Sequence, residues 1–202
     1  MTVVPLLFAL WTAWASLVVS AADAEPRCTG ETASHLRAYA LPERARFDAW
    51  LPAHATAYAD FEATLRTAGV ADVVEPWTLW YQGTSWESGG HPPFVEPPRV
   101  EWPAIVPTLR ILRDEVIPVT GALCVVSGYR TAAYNATEGG AKSSKHMGFH
   151  GVDVLPARAW ERQALHTSLK EIHARVGVAL QMGLGLYSGV RFHVDAWRFR
   201  TW

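Results

Sequence analysis

The chain has 202 residues, half of them apolar, and a formal net charge of −1. That length holds one substantial domain with modest extensions and a real core, and a near-neutral chain without a basic stretch is a poor match to nucleic acid. The two cysteines, Cys28 and Cys124, have neither zinc-finger nor CxxC spacing.

Residues 3–22 are almost wholly apolar and end in the small-x-small runs Val19-Ser-Ala21 and Ala22-Asp-Ala24. Residues 1–24 therefore read as a cleaved export signal or, since the start lacks Lys and Arg, an uncleaved membrane anchor; about 20 apolar residues can span a bilayer. Arg27 before Cys28 argues against a lipoprotein. In an oxidising compartment Cys28 and Cys124 could pair. Cys124 lies in the apolar run Ala122–Val126, however, and the favoured reading is a buried small hydrophobe.

Residues 25–41 read as a linker and 42–101 as an extension of helices and loops packed on the main domain, 102–202. Pro42–Leu51 and Ala53–Ala68 look helical, with Phe61, Leu65 and Ala68 at helical spacing and Gly69 as the stop. Val73–Gln82 is expected to be a strand. Thr84–Pro98, rich in Gly and Pro, must be a loop, and loops this long are often functional. It is placed beside the cleft, with Glu87 and His91 as minor candidates. The ten tryptophans favour core packing; sugar stacking by Trp77, Trp80 or Trp86 is the alternative.

Trp102–Val116 is the clearest helix, with Pro103 in its first turn, Ile105, Leu109, Leu112 and Val116 on one face, and Pro118 beyond its end. Ala122–Ser127 is a strand, Ala132–Lys145 a Gly-rich loop, and Pro156–Val176 a helix. Tyr187-Ser-Gly189 turns the chain between two final strands. The expected class is α+β, with an antiparallel sheet whose one face carries the chemistry. Gly183-x-Gly185 lacks the third glycine of a dinucleotide site.

That chemistry lies in two segments, Ser144-Lys-His146 to Asp153 and Phe192-His193-Val-Asp195. Side chains two apart share one face of a strand, so His193 and Asp195 project together while Phe192 and Val194 enter the core. His146 and Asp153 would stand roughly 10 Å apart along a helix axis. A loop running into the strand Gly151–Leu155 can instead fold them together. Two imidazoles and two carboxylates suit a mononuclear zinc hydrolase, with three ligands to Zn2+ and one carboxylate as base.

The pattern from about Ala122 to Trp202 resembles the zinc D-alanyl-D-alanine carboxypeptidase and murein endopeptidase family, whose fold is shared with the Hedgehog signalling domain. Its motifs here are Ser127-Gly-Tyr129-Arg130, Asn135, Gly139-Gly140, Ser144-x-His146 with Asp153, Gly183-Leu-Gly185-Leu-Tyr187, and Phe192-His193-Val-Asp195. The resemblance implies a Hedgehog/DD-peptidase-like sheet with flanking helices. It also implies zinc on His146, Asp153 and His193, Asp195 as catalytic base, and Arg130 binding substrate oxygens. Ser127, Tyr129, Asn135, Ser144 and Tyr187 would bind substrate or brace the ligands. The implied protein is an exported monomeric peptidase of peptidoglycan stem peptides or cross-links, touching membrane only through an N-terminal anchor. The alternative is a zinc-stabilised peptidoglycan-binding module without catalysis. Two positions depart from the family pattern: Phe149 stands where a glycine is usual and Gly151 where an alanine is.

Overall fold

The computed structural model describes Cys28, Leu36 and residues 39–202. The expected export segment and most of the expected linker lie outside the described residues.

Two helices open the described chain, α1 (Arg44–Trp50) and α2 (Ala55–Thr67), and α2 stops at Gly69, whose φ of +69° closes the turn. The expected strand at Val73–Gln82 is instead a 3-10 turn over Pro76–Trp80 followed by a single bridge between Tyr81 and Phe94. Pro76 starts that turn without needing a donor, and Trp77, Leu79 and Trp80 are all buried, so no strand-like alternation survives. Trp77 and Trp80 therefore cannot stack on a sugar. Trp86 is half-buried, with the Arg46 guanidinium 4.8 Å above its ring.

The helix expected at Trp102–Val116 is longer and less regular. A 3-10 stretch (Arg99–Ile105) leads into α3 (Val106–Ile111), a π-helical turn (Leu112–Val116) and α4 (Ile117–Thr120). Pro118 sits inside this rod rather than beyond it. The wider π turn adjoins the place where proline removes a donor, and Gly121 at φ +77° ends the helix. The expected loop at 132–145 contains a further short helix, α5 (Ala132–Thr137), capped by the Thr131 hydroxyl. The last helix, α6 (Arg162–Val176), begins later than expected because the preceding strand runs through Pro156.

Five strands form one sheet in the order β1-β2-β4-β3-β5: β1 (Leu123–Ser127), β2 (Gly151–Pro156), β3 (Met182–Leu186), β4 (Phe192–Ala196) and β5 (Arg200–Thr201). The α+β expectation holds, but the sheet is not purely antiparallel: β5, which sequence reasoning missed, pairs parallel with β3.

Alternation divides the sheet cleanly. Val152, Val154, Leu184, Phe192 and Val194 turn to one face and join the main core with residues of the 99–120 rod and α6. The opposite face is polar at one end. There Asp153 pairs with His193, Gly151 and Gly183 flank Asp195, and Gly185 lies beside His193. An irregularity in β1 between Val125 and Ser127 brings Ser127 opposite Asp153. The far end of this face is apolar and carries a small second core of Leu36, Cys124, Val126, Leu155 and Ala157. Cys28 and Cys124 form a disulfide there. This corrects the expectation of an unpaired Cys124: the residue is buried, but its sulfur meets a partner 96 positions away.

Candidate metal centre and cleft

His146, Asp153 and His193 are all buried, and one ligand atom from each lies within 4.8 Å of the others. Asp153 and His193 are direct partners across the β2–β4 ladder, so their separation is set by backbone pairing. His146 arrives on the loop before β2. Its Nδ1 donates to the Gly128 carbonyl oxygen at 2.7 Å, which fixes the tautomer and aims the Nε2 lone pair inward. That Nε2 lies 3.1 Å from His193 Nδ1 and 3.3 Å from Asp153 Oδ1, and the latter two are 2.9 Å apart. Two imidazole nitrogens and a carboxylate oxygen thus converge on one point. With neutral imidazoles they would be three acceptors facing each other, an arrangement that needs a positive charge between them.

The titration behaviour carries the same message. Burial, helped by Arg130, pushes the His146 imidazole down to about 4. Burial opposes ionisation of Asp153, but His146 and His193 hold its carboxyl well below the usual carboxylate range. Burial would also depress His193, yet hydrogen bonds to Asp153 and Asp195 hold it above its ordinary value. The donor set, N, N and O in a buried site with each outer atom engaged, fits zinc.

The residues around the three donors divide into those that brace and those that face the cleft. Arg130 Nη2 donates to Asp153 Oδ2 at 2.8 Å, and its Nε bonds the Ser127 hydroxyl at 2.7 Å. Ser127 in turn donates to the Gln82 carbonyl oxygen. Gln82 is fully buried: its side-chain oxygen accepts from Thr131 N and Oγ1, and its amide donates to Pro92 O. Sequence reasoning missed it, because nothing local marks a glutamine in an aromatic run as the support of an arginine 48 residues later. Tyr187 donates to Asp153 Oδ1 at 3.2 Å, and burial, with Asp153 beside it, pushes its phenol well above the usual range. It remains a neutral donor on the wall of the site.

Asn135 is buried and its amide donates to Ala141 O, holding the Gly139–Ala141 rim. Ser144 lines the cleft and braces the ligand loop through its backbone, accepting from Met147 N at 3.3 Å. Tyr129 does not line the cleft; its ring packs edge-on against Phe149. His150 packs on Trp197. The loop at 84–98 does not contribute to the cleft: His91 bonds Thr137, and Glu87 lines a different depression.

Both departures from the family pattern have physical reasons. Phe149 sits at φ +55°, the left-handed region that a glycine occupies without cost. Its ring is fully buried between Phe61 of α2 and Tyr129, which offsets the strain. At Gly151 a Cβ would lie 2.7 Å from the His193 imidazole, so the ring occupies the space an alanine methyl would need. Thr108 of α3 ties the assembly together: its hydroxyl donates to His150 O and accepts from Ala196 N.

The donors open onto a cleft of about 690 Å³. Glu138, Lys145, Arg191, Arg198, Trp197 and Trp202 are on its walls. Lys145 lies over Trp197 and Arg191 over Tyr187, and neither these two nor Arg198 has a carboxylate partner among the described residues.

Asp195 lies elsewhere than expected. It is fully buried, absent from the cleft wall, and placed at Nε2 of His193 rather than beside the converging donor atoms. The expected base is thus separated from the metal point by the whole imidazole ring.

No curated protein and no solved structure matches the chain. A family model described as Peptidase M15 matches residues 90–189, about half of the chain, taking in Arg130, His146 and Asp153 and ending before His193. Members of that family are zinc-dependent, and the buried donors found here can hold such an ion; through residues 90–189 this chain belongs to the peptidase M15 family.

Proposed function

We propose that the protein is an exported zinc peptidase with a Hedgehog/DD-peptidase-like catalytic domain over residues 102–202, acting as a monomer on peptidoglycan stem peptides or their cross-links. The observation that carries this reading is the convergence of His146 Nε2, Asp153 Oδ1 and His193 Nδ1, with outer atoms already engaged, at the floor of a 690 Å³ cleft. Zinc, when bound, supplies Lewis acidity toward a carbonyl and toward water. His146, Asp153 and His193 would hold it. Arg130 keeps its Nη1 group free of protein partners among the described residues, available to a substrate carboxylate or a developing oxyanion. Tyr187 stays neutral at the same wall and gives its hydroxyl proton to Asp153 Oδ1. Lys145, Arg191 and Arg198 make the approach cationic, which suits peptides bearing several carboxylates. The Cys28–Cys124 disulfide supports export, since such bonds persist in oxidising compartments.

A second reading, a zinc-stabilised peptidoglycan-binding module, is favoured by one observation. Apart from Asp153, the only carboxylate on the cleft wall among the described residues is Glu138, and Asp195, the expected base, is not on that wall. Digestion of purified muropeptides with mass spectrometry of the products, with and without chelator, separates the two. Chelator-sensitive release of amino acids or cleaved peptides supports the peptidase. Zinc binding with intact muropeptides supports the module.

A further inference from the structure

We infer that Asp195 is a positioning residue, paired with Arg200 to fix His193 as an Nδ1 ligand, and not the general base that its place two residues after His193 suggests. The inference rests on the reading that His146, Asp153 and His193 hold a metal.

The geometry is over-determined. Asp195 Oδ1 accepts from Arg200 Nη1 at 2.9 Å and from the Trp197 backbone N–H at 3.1 Å. Oδ2 accepts from Arg200 Nη2 and from His193 Nε2 at 3.0 Å. A carboxylate has about four lone-pair sites, and all four are taken, two of them by a bidentate guanidinium fork. None is left to receive a proton from water. Donation from Nε2–H leaves the His193 lone pair on Nδ1, the atom that faces His146 and Asp153. Placing a base at Nε2 and a metal at Nδ1 puts the imidazole between them.

The strands are shaped around this pair. Gly183, the partner of Asp195 across the β3–β4 ladder, has no side chain because a Cβ there would lie 2.5 and 2.7 Å from the two carboxylate oxygens and 2.7 Å from Arg200 Nη1. Arg200 reaches Asp195 because β5 pairs parallel with β3 at that same glycine. Gly185, two residues on, clears space for Trp202, whose ring lies under the Arg200 guanidinium and 5.2 Å from the His193 ring. The glycine pair of β3 thus accommodates the Asp195–Arg200 clamp and the indole beside it.

The test uses the full chain loaded with Zn2+ or Co2+, and the variants Asp195→Ala, Asp195→Asn and Arg200→Gln. Zinc affinity, read by competition with a chromophoric chelator, is expected to fall 10–100-fold in Asp195→Ala, the usual worth of such an outer partner. A smaller loss is expected in Arg200→Gln, which leaves His193 its carboxylate. In the Co2+ protein, proton NMR should show two solvent-exchangeable, hyperfine-shifted imidazole N–H signals. One belongs to His146 Nδ1–H on Gly128 O, and the other to His193 Nε2–H on Asp195. Asp195→Ala should lose or broaden only the second, which a general loss of stability would not do. If Asp195→Ala fails to fold, Arg200→Gln and Asp195→Asn carry the same comparison. Zinc affinity within twofold of wild type in every folded variant, with both N–H signals intact, overturns the inference. So does an Asp195→Asn protein with full zinc affinity and unperturbed N–H signals whose turnover is reduced 10²–10⁴-fold, the signature of a base. A wild-type chain that binds neither zinc nor cobalt overturns the metal reading itself, and this inference with it.

Discussion

The aromatic block of the N-terminal half and the polar face of the sheet are built by opposite rules. Around Phe47 the rings of Trp50, Tyr58, Trp77 and Phe94 lie 5.1–5.8 Å away at varied angles, and Trp80 joins them through Trp50 and Tyr58. Such packing is non-directional, and each ring contributes mainly by area removed from water. On the polar face each group has specific partners at hydrogen-bond distance, as many as four for Asp153, and removing a partner leaves a buried charge or an unpaired lone pair. The two regions meet at Phe149, whose ring packs on Phe61 while its neighbours carry His146 and Asp153. Stability and chemistry can therefore be perturbed separately here, except at that junction.

The largest effect on stability should come from the aromatic side. Phe47→Ala removes a fully buried ring and should destabilise the chain by about 3–5 kcal/mol, read by chemical denaturation. Zinc affinity of the folded fraction should stay unchanged; a matching loss would show that the two regions are not separable.

At the junction the terms partly cancel. Phe149→Gly relieves a left-handed residue, worth about 1–2 kcal/mol, but gives up ring burial worth about 3–5 kcal/mol. A net loss of roughly 2–3 kcal/mol is expected, together with weaker zinc binding, because the freed glycine loosens the loop that delivers His146. A stabilised Phe149→Gly protein with unchanged affinity would show that the ring does not brace the site.

How much of this was legible in the chain follows the same division. That His193 and Asp195 share a face could be expected from strand alternation, because side chains two apart point the same way and the residue between them, Val194, is apolar. The α+β class followed from similarly local periodicity. What depended on distant partners was not legible. Arg200 reads as one more arginine in Arg198-Phe-Arg200 until β5 returns beside β3. Gln82 gives no sign that it carries Arg130. Cys124 looks like any small apolar strand residue until Cys28 meets it. The strand wrongly expected at Val73–Gln82 fails for the same reason, since the bulk of Trp77 and Trp80 is taken up by helices from elsewhere in the chain.

A smaller effect separates the regions by pH. Burial raises the phenols of Tyr58 and Tyr81 well above their ordinary value near 10. Each therefore stays neutral in the fold at a pH where the unfolded chain would ionise it. Stability from these groups is full below pH 10 and declines as pH rises past it. Tyr81→Phe should flatten that alkaline decline while costing about 1 kcal/mol at neutral pH for the lost bond to Ala40 O. An unaltered alkaline limb would count against burial as the cause.

Whether three buried side chains hold one metal ion is decided by the zinc content and affinity of the purified full chain beside its His193→Ala variant. One zinc per wild-type chain is expected, removable by chelator and restored by added zinc. In folded His193→Ala, where one of three donors is gone, zinc should be absent or severely weakened. Undiminished zinc in folded His193→Ala would remove His193 from the metal site, and a folded wild-type chain that takes up no zinc at all would show that the three side chains form no metal site.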